Sequence, residues 1–400
     1  MSDRPSKTGL TVLLGSGFAE GLGLPGTSQL TTAVRSLPGP QIFPERPNEG
    51  LVTVPGGMWR MATSYYSNPN FETMLHLVET AIGYQRVRGW LAADDSSKAA
   101  FGAFMNIMPH WERFIEQGSA YSFQDFYSYA INAIAKELVD ATNENLKGIQ
   151  EFLAPFLSHL KDRFQLTLAT LNYDDTLERS LETWHDGFGP QNDRQAFNPP
   201  SLLSDRHEPL LMHLHGSVRF YTLAAPEEER VIYRADSADL KTPQVRGVFW
   251  QYFAQSGELL LAAPMISGLR KSDKVTTPPF GYYQYRFHDS LMKCPRLLVI
   301  GYGAGDTYLN SLLLEMRRIH ESKFRAIFVT KCEVADVWNR GVTFPAVVMG
   351  ADPKDAKDLK TKVEAAIKGN GWTEWESGLL YLRGFSSDVS VDELTAFFGG

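Results

Sequence analysis

The sequence holds only two cysteines, Cys294 and Cys332, in 400 residues. Two thiols build neither a four-cysteine zinc site nor a disulfide framework, and they point to a reducing compartment. Long apolar runs are missing too. No stretch approaches the ~20 residues needed to span a bilayer. The apolar run that follows Met1–Gly9 is too short for the core of a signal peptide. Positive charge is in deficit, with 39 Lys and Arg against 46 Asp and Glu and a net charge of −7. That balance excludes a globally basic nucleic-acid binder. Internal repeats and low-complexity segments are also lacking. Together these absences predict a cytoplasmic protein with no membrane attachment and no direct sequence-specific nucleic-acid binding.

What is present is ordinary globular material, 43% apolar and 21% charged, which argues against disorder. Leu10–Leu14, Phe164–Leu171, Leu210–Leu214, Leu259–Ala263, Leu297–Ile300 and Ala326–Thr330 are short continuous apolar runs. Runs of this kind separated by helical patterns suit a parallel sheet covered on both faces. Residues 23–60 are rich in Gly and Pro and read as a short helix, then irregular chain with a hairpin. From Phe71 the period changes: Phe71, Leu75, Val78 and Ile82 form one helical face, capped by Asn70. Tyr127, Ile131, Ile134 and Leu138 continue that period, and Gln150–Asp162 reads as a further helix. Beyond Pro353 the pattern is a charged helix, a segment around Trp372 and Trp375, and a short final helix. The expected fold is therefore α/β, a Rossmann-like doubly wound parallel sheet with an inserted helical module. Its expected boundaries are an α/β domain over 1–350, a helical insertion at about 65–160, and a C-terminal extension over 351–400. In such folds ligands bind beyond the C-terminal ends of the strands.

Four constellations end apolar runs. Gly15-Ser16-Gly17-Phe18 follows the first, and reads either as a phosphate-binding turn or as a mere tight turn. Glu20 replaces the third glycine of the dehydrogenase fingerprint, and Arg35–Pro40 lacks its acidic residue. A hydride-transfer dehydrogenase is thus disfavoured. Asn172-Tyr173-Asp174-Asp175 follows the second run. Its amide and carboxylate suit a water or a ribose hydroxyl, while the plain alternative is a turn and a helix cap. His213-Leu214-His215-Gly216 puts two histidines on one strand face by alternation. With no nearby cysteine pair or acidic third ligand, no metal site is expected, whereas an imidazole suits proton transfer near neutral pH. Gly301-Tyr302-Gly303-Ala304-Gly305-Asp306, with Asn310 one turn on, repeats the glycine-turn logic. Asp306 reads either as a cap or as a group near a ribose.

The joint order of these blocks resembles the sirtuin superfamily. It is most similar to the branch of bacterial sirtuin-like NAD-consuming proteins of antiviral defence. Asn70-Phe71-Glu72 with Leu75, and Pro279-Phe280 with Tyr282-Tyr283, are similar to that branch as well. The resemblance implies NAD as substrate, held by Gly15, Ser16, Gly17, Phe18, Tyr173, Asp174, Gly301, Tyr302, Gly303, Asp306 and Asn310. It implies Asn172 and His215 as the catalytic pair, with Asp174 toward the nicotinamide. The expected reaction is an NADase reaction, hydrolysis of the nicotinamide–ribose bond to nicotinamide and ADP-ribose. Alternatives are an NAD-dependent deacylase or ADP-ribosyltransferase, and a non-catalytic subunit that senses NAD or ADP-ribose. Two departures bear on this choice. Ala19 stands where many sirtuins carry a serine. The deacylase zinc ribbon needs four cysteines after the His-Gly block, and none lies between His215 and Cys294, so no zinc is expected. A constitutive NADase would harm its own cell, so gating is expected, through homo-oligomer assembly, a HerA-type ATPase or another defence subunit.

Overall fold

A computed structural model describes residues 7–39, 41–42, 52–90, 120–191, 194–204, 206–222, 231–236, 250–253, 259–263, 265–267, 274–275, 278–336, 338–352 and 356–399. The chain divides into two compact units. The first comprises Met1–Gly26, Ala141–Ser217 and Pro278–Gly400; the second comprises Thr27–Asp140 and Val218–Thr277.

The first unit is built on one seven-stranded sheet. In chain order its strands are β1 (Thr8–Leu14), β2 (Phe164–Thr170), β3 (Leu210–His213), β4 (Arg296–Ile300), β5 (Arg325–Val329), β6 (Trp372–Trp375) and β7 (Gly378–Tyr381). Across the sheet they run β3-β2-β1-β4-β5-β7-β6, all parallel except the edge strand β6. This is the doubly wound order, whose direction of growth reverses between β1 and β4 and opens a crevice there. The α/β class with a mostly parallel sheet is as the apolar runs predict. A small antiparallel pair, Phe188–Gln191 with Arg194–Phe197, is added to the same unit.

Burial explains the strand sequences. Leu10, Val12 and Leu14 of β1 and Leu166 and Leu168 of β2 are all buried. They pack in one cluster with Leu153, Phe156, Leu157 and Leu160, whose spacing is the apolar stripe of a helix. That stripe belongs to a single helix, Ala120–Arg163, where the sequence predicts a separate helix at Gln150–Asp162. Pro155 lies inside it on the exposed side, where a proline costs the helix least. The helices α1 (Ser16–Gly21), α2 (Thr176–Ser180), α3 (Phe280–Lys293) and α4 (Thr307–His320) follow strands or lead into them. The charged helix beyond Pro353 is Ala356–Lys368 and the final one Val391–Phe397. Between them the Trp372 and Trp375 segment joins the sheet, with the Trp372 ring 4.6 Å from that of Tyr381.

The second unit carries helices Thr27–Arg35, Val54–Tyr65 and Phe71–Trp90. The expected hairpin is the pair Gln41–Ile42 and Val52–Thr53. Asn70 accepts from the Thr73 amide at 3.1 Å, the expected cap, and Phe71, Leu75, Val78 and Ile82 are all buried. Leu259–Ala262 departs from expectation. It pairs antiparallel with Trp250–Phe253 rather than joining the parallel sheet; a short apolar run does not encode its partner's direction. Trp111 and the side chain of Trp90 lie outside the described residues. Among the described residues no helix is long and apolar enough to cross a membrane.

Candidate active site

Four neighbouring strands of the first unit end on one line. Leu14 is in register with both Ile300 and Thr170, and Thr170 with His213. Paired strands lie ~4.8 Å apart, so whatever follows these four residues is gathered along one sheet edge. Gly15 and Gly301 come next after the line, and Asn172 and His215 one residue further on. All four constellations thus converge on the β1–β4 switch point.

The two glycine turns lock into each other. The Gly15 amide donates to the Ile300 carbonyl at 2.9 Å, and the Gly17 amide to the Gly301 carbonyl at 3.0 Å. Gly301 has φ +66. A Cβ on Gly301 would stand 2.1 Å from the Phe18 nitrogen, and one on Gly15 would stand 2.6 Å from the Gly301 oxygen. The glycines are needed for backbone against backbone, the simplest reason for a residue with no side chain. A Cβ added at Gly303 or Gly305 would meet no described atom within 4 Å, so among the described residues there is room where the second turn departs from the first. Ser16 is exposed, whereas Phe18 is core, its ring 4.9 Å from Phe385.

Asn172 is fixed by its own amide, which donates through Nδ2 to the Gly15 carbonyl at 2.9 Å. Its backbone nitrogen donates to Thr170 Oγ1 at 3.0 Å. With Nδ2 committed, Oδ1 is the end of the side chain left to accept from water or a hydroxyl. His213 and His215 do not share a strand face. β3 stops at His213, the Gly216 amide turns back to the His213 carbonyl at 3.1 Å, and Gly216 has φ +94. The turn breaks the alternation. His213 points to Glu178, with Nε2 3.0 Å from Oε1, while His215 Nε2 lies 3.6 Å from Asp306 Oδ2.

Asp306 has two tasks. Its Oδ1 accepts from the Tyr308 and Leu309 amides at 3.0 and 3.1 Å, capping α4. Its Oδ2 faces His215. Asn310 is a clasp: Nδ2 donates to the Ala304 carbonyl at 3.0 Å, and Oδ1 lies 2.8 Å from the Tyr302 hydroxyl. That hydroxyl is also 2.9 Å from the Asp306 carbonyl. Burial, with Asp306's charge beside it, pushes the Tyr302 hydroxyl well above its ordinary value, so it stays a neutral donor. Tyr173 is buried.

Asp174 carries an open acceptor. It is 5% exposed. Its Oδ1 accepts from the Thr176 amide and hydroxyl, while Oδ2 has no partner among the described residues. Burial raises its pKa; the two Thr176 bonds and the His213 charge pull against that rise, Glu178 adds to it, and the outcome is a rise. A buried acceptor left open costs stability and is a place for a ligand's N–H. Asp175 takes the cap position of α2 without a capping bond and pairs with Arg179 at 2.7 Å. The buried His213–Glu178 and Asp175–Arg179 pairs were not legible in advance. The i, i+4 spacing of Asp175 and Arg179 is the one local sign of the second pair. No group of three or more His, Cys, Asp or Glu among the described residues is placed to hold a metal ion.

No curated protein matches the chain. Among solved structures, a serine-to-alanine mutant of a Sir2 homologue complexed with ADP-ribose aligns at 14% identity and a TM-score of 0.33. The alignment covers 91% of this chain and 94% of that one. Residues 166–336, which hold the Asn172, His215 and Gly301 blocks, match the family model of the SIR2-like domain. Over that stretch the chain is similar to a SIR2-like domain, which implies NAD-related activity.

Proposed function

We propose that the chain is an NAD glycohydrolase that breaks the nicotinamide–ribose bond and gives nicotinamide and ADP-ribose. The observation that carries this reading is the shared register line, which sets Asn172, His215 and the two glycine turns on one edge at the switch point. The SIR2-like match supports NAD as the substrate. Cleavage expels neutral nicotinamide from a cationic pyridinium and leaves positive charge on the ribose, as in other glycosyl transfers. The leaving group needs little proton help. The site's work is to place a water or hydroxyl and to take its proton. Asn172 Oδ1 holds that water against the ribose, and His215, with Asp306 beside it, accepts the proton. Asp174 Oδ2 meets the carboxamide N–H of nicotinamide.

Asp174 provides a test in which stability and activity move in opposite directions. Its folded pKa lies above its ordinary value near 4. The sign follows: the carboxyl's favourable contribution is present below the unfolded value and is lost as pH rises through the folded one. Asp174→Asn keeps an acceptor for Thr176 and removes the buried charge. Expected is a higher Tm than wild type at neutral pH, with the gap closing in acid, and a nicotinamide release rate lowered by about 10²-fold or more. Thermal unfolding across pH and a release assay check both. A lower Tm at neutral pH contradicts the account of the buried carboxylate.

The same reading proposes gating of the activity by assembly, with a HerA-type ATPase or another defence subunit as partner and antiviral NAD depletion as the outcome. Its support is the sequence resemblance and the toxicity of an ungated NADase. Size-exclusion chromatography with light scattering is expected to show an oligomer, alone or with a HerA-type ATPase. A monomer under both conditions contradicts the gating.

A further inference from the structure

We propose that His213 and Glu178 form a positioning pair that holds the Asn172 loop in its working conformation. This rests on the proposed NADase reading for its kinetic consequence but not for its geometry. His213 Nδ1 lies 3.4 Å from the Asn172 carbonyl, and Nε2 lies 3.0 Å from Glu178 Oε1. The histidine is the last residue of β3, and Glu178 belongs to α2, the helix that begins just after the Asn172–Asp175 turn. The imidazole therefore bridges the loop's start and the helix that closes it. Both ring partners are acceptors when Glu178 is ionised, so both ring nitrogens carry hydrogen. The His213 and Glu178 side chains are only 2% and 1% exposed, so water does not compete for these bonds.

The charges facing His213 are Glu178 from α2 and Asp174 from the turn. Burial alone would lower the imidazole's pKa, but the charge and hydrogen bond of Glu178, with Asp174 and the Asn172 carbonyl, outweigh it and raise it. Neither residue is catalytic in this scheme. Their effect reaches the reaction through Asn172, whose Nδ2 bond to Gly15 aims Oδ1.

Glu178→Gln tests the pair, because it preserves shape and an acceptor for Nε2 while removing the charge that keeps the ring doubly protonated. Two readouts are taken on the full chain, together with Asn172→Ala and His213→Gln. In hydrogen exchange followed by mass spectrometry, Glu178→Gln and His213→Gln are expected to lose protection over residues 171–176 at pH 8. Strand 164–170 is expected to stay protected. For Glu178→Gln that loss is expected to reverse toward acid, where the buried ring regains its second proton. In nicotinamide release, kcat of Glu178→Gln at pH 8 falls roughly 10- to 100-fold with KM for NAD within about twofold. The ratio of variant to wild-type kcat recovers toward acid; a ratio is read because pH effects common to both enzymes cancel in it. Unchanged exchange over 171–176 in both variants overturns the proposal. So does a loss of protection in the loop and strand together, which marks general destabilisation. A wild type that releases no nicotinamide under any condition refutes the NADase reading, while the exchange experiment still decides the positioning role.

Discussion

His215→Ala and Asn172→Ala are each expected to lower nicotinamide release by at least about 10³-fold while leaving the Tm near the wild-type value. The size follows from what each side chain does. General-base help contributes ~10²–10⁴-fold, and loss of the residue that places the water removes orientation as well. His215 has a charge partner in Asp306 at 3.6 Å, yet Asp306 keeps its capping bonds to Tyr308 and Leu309 without the histidine. The turn after β3 is held by the Gly216 amide and the Leu214-to-Thr170 bond, all backbone. The backbone bonds of this turn therefore do not depend on the histidine side chain. Asn172→Ala gives up its bond to Gly15, worth about 1 kcal/mol, and the register of β1 with β2 survives. Purified variants are compared in a nicotinamide release assay and by thermal unfolding. Full release by both variants removes these residues from the mechanism.

Gly301→Ala is expected to be strongly destabilising. Its φ of +66 already disfavours any L side chain, at about 1–2 kcal/mol. The added Cβ would stand 2.1 Å from the Phe18 nitrogen and 2.4 Å from the Gly17 carbonyl carbon. Both are backbone atoms of a turn tied to β4, so no flexible side chain yields. The total loss is expected to exceed about 4 kcal/mol, the range reserved for severe backbone and packing defects. Gly303→Ala is the control: no described atom lies within 4 Å of a Cβ added there, and its unfolding free energy is expected to stay within about 0.5 kcal/mol of wild type. Thermal or urea unfolding of the pair decides it. A Gly301→Ala variant with wild-type stability means the turns do not interlock.

That interlock marks the limit of what the sequence discloses. The runs Leu10–Leu14, Phe164–Leu171 and Leu297–Ile300 announce themselves as buried strands because continuous apolar residues bounded by turns have few other uses. The blocks that end them are equally plain. Why Gly15, Gly17 and Gly301 are glycines is not, since two turns far apart in sequence meet only once strand order is known. Asp306 was legible as a cap from its place before a helix, but its second contact, to His215, crosses the sheet edge. The same non-locality hid the antiparallel partner of Leu259–Ala262 and the entry of Trp372–Trp375 and Gly378–Tyr381 into the central sheet. His215 leaves the face of His213 for a local reason: the chain turns after β3, with Gly216 at φ +94. The pairing of His213 with Glu178 depends on α2 folding back over β3.

The central claim is that this sheet edge cleaves NAD. Incubation of the full chain with NAD, alone and with its candidate activating partner, followed by chromatography, tests it most directly. The account predicts equal amounts of nicotinamide and ADP-ribose from wild type, and intact NAD from His215→Ala. Intact NAD from wild type with every partner present, or nicotinamide from wild type and His215→Ala alike, would contradict it.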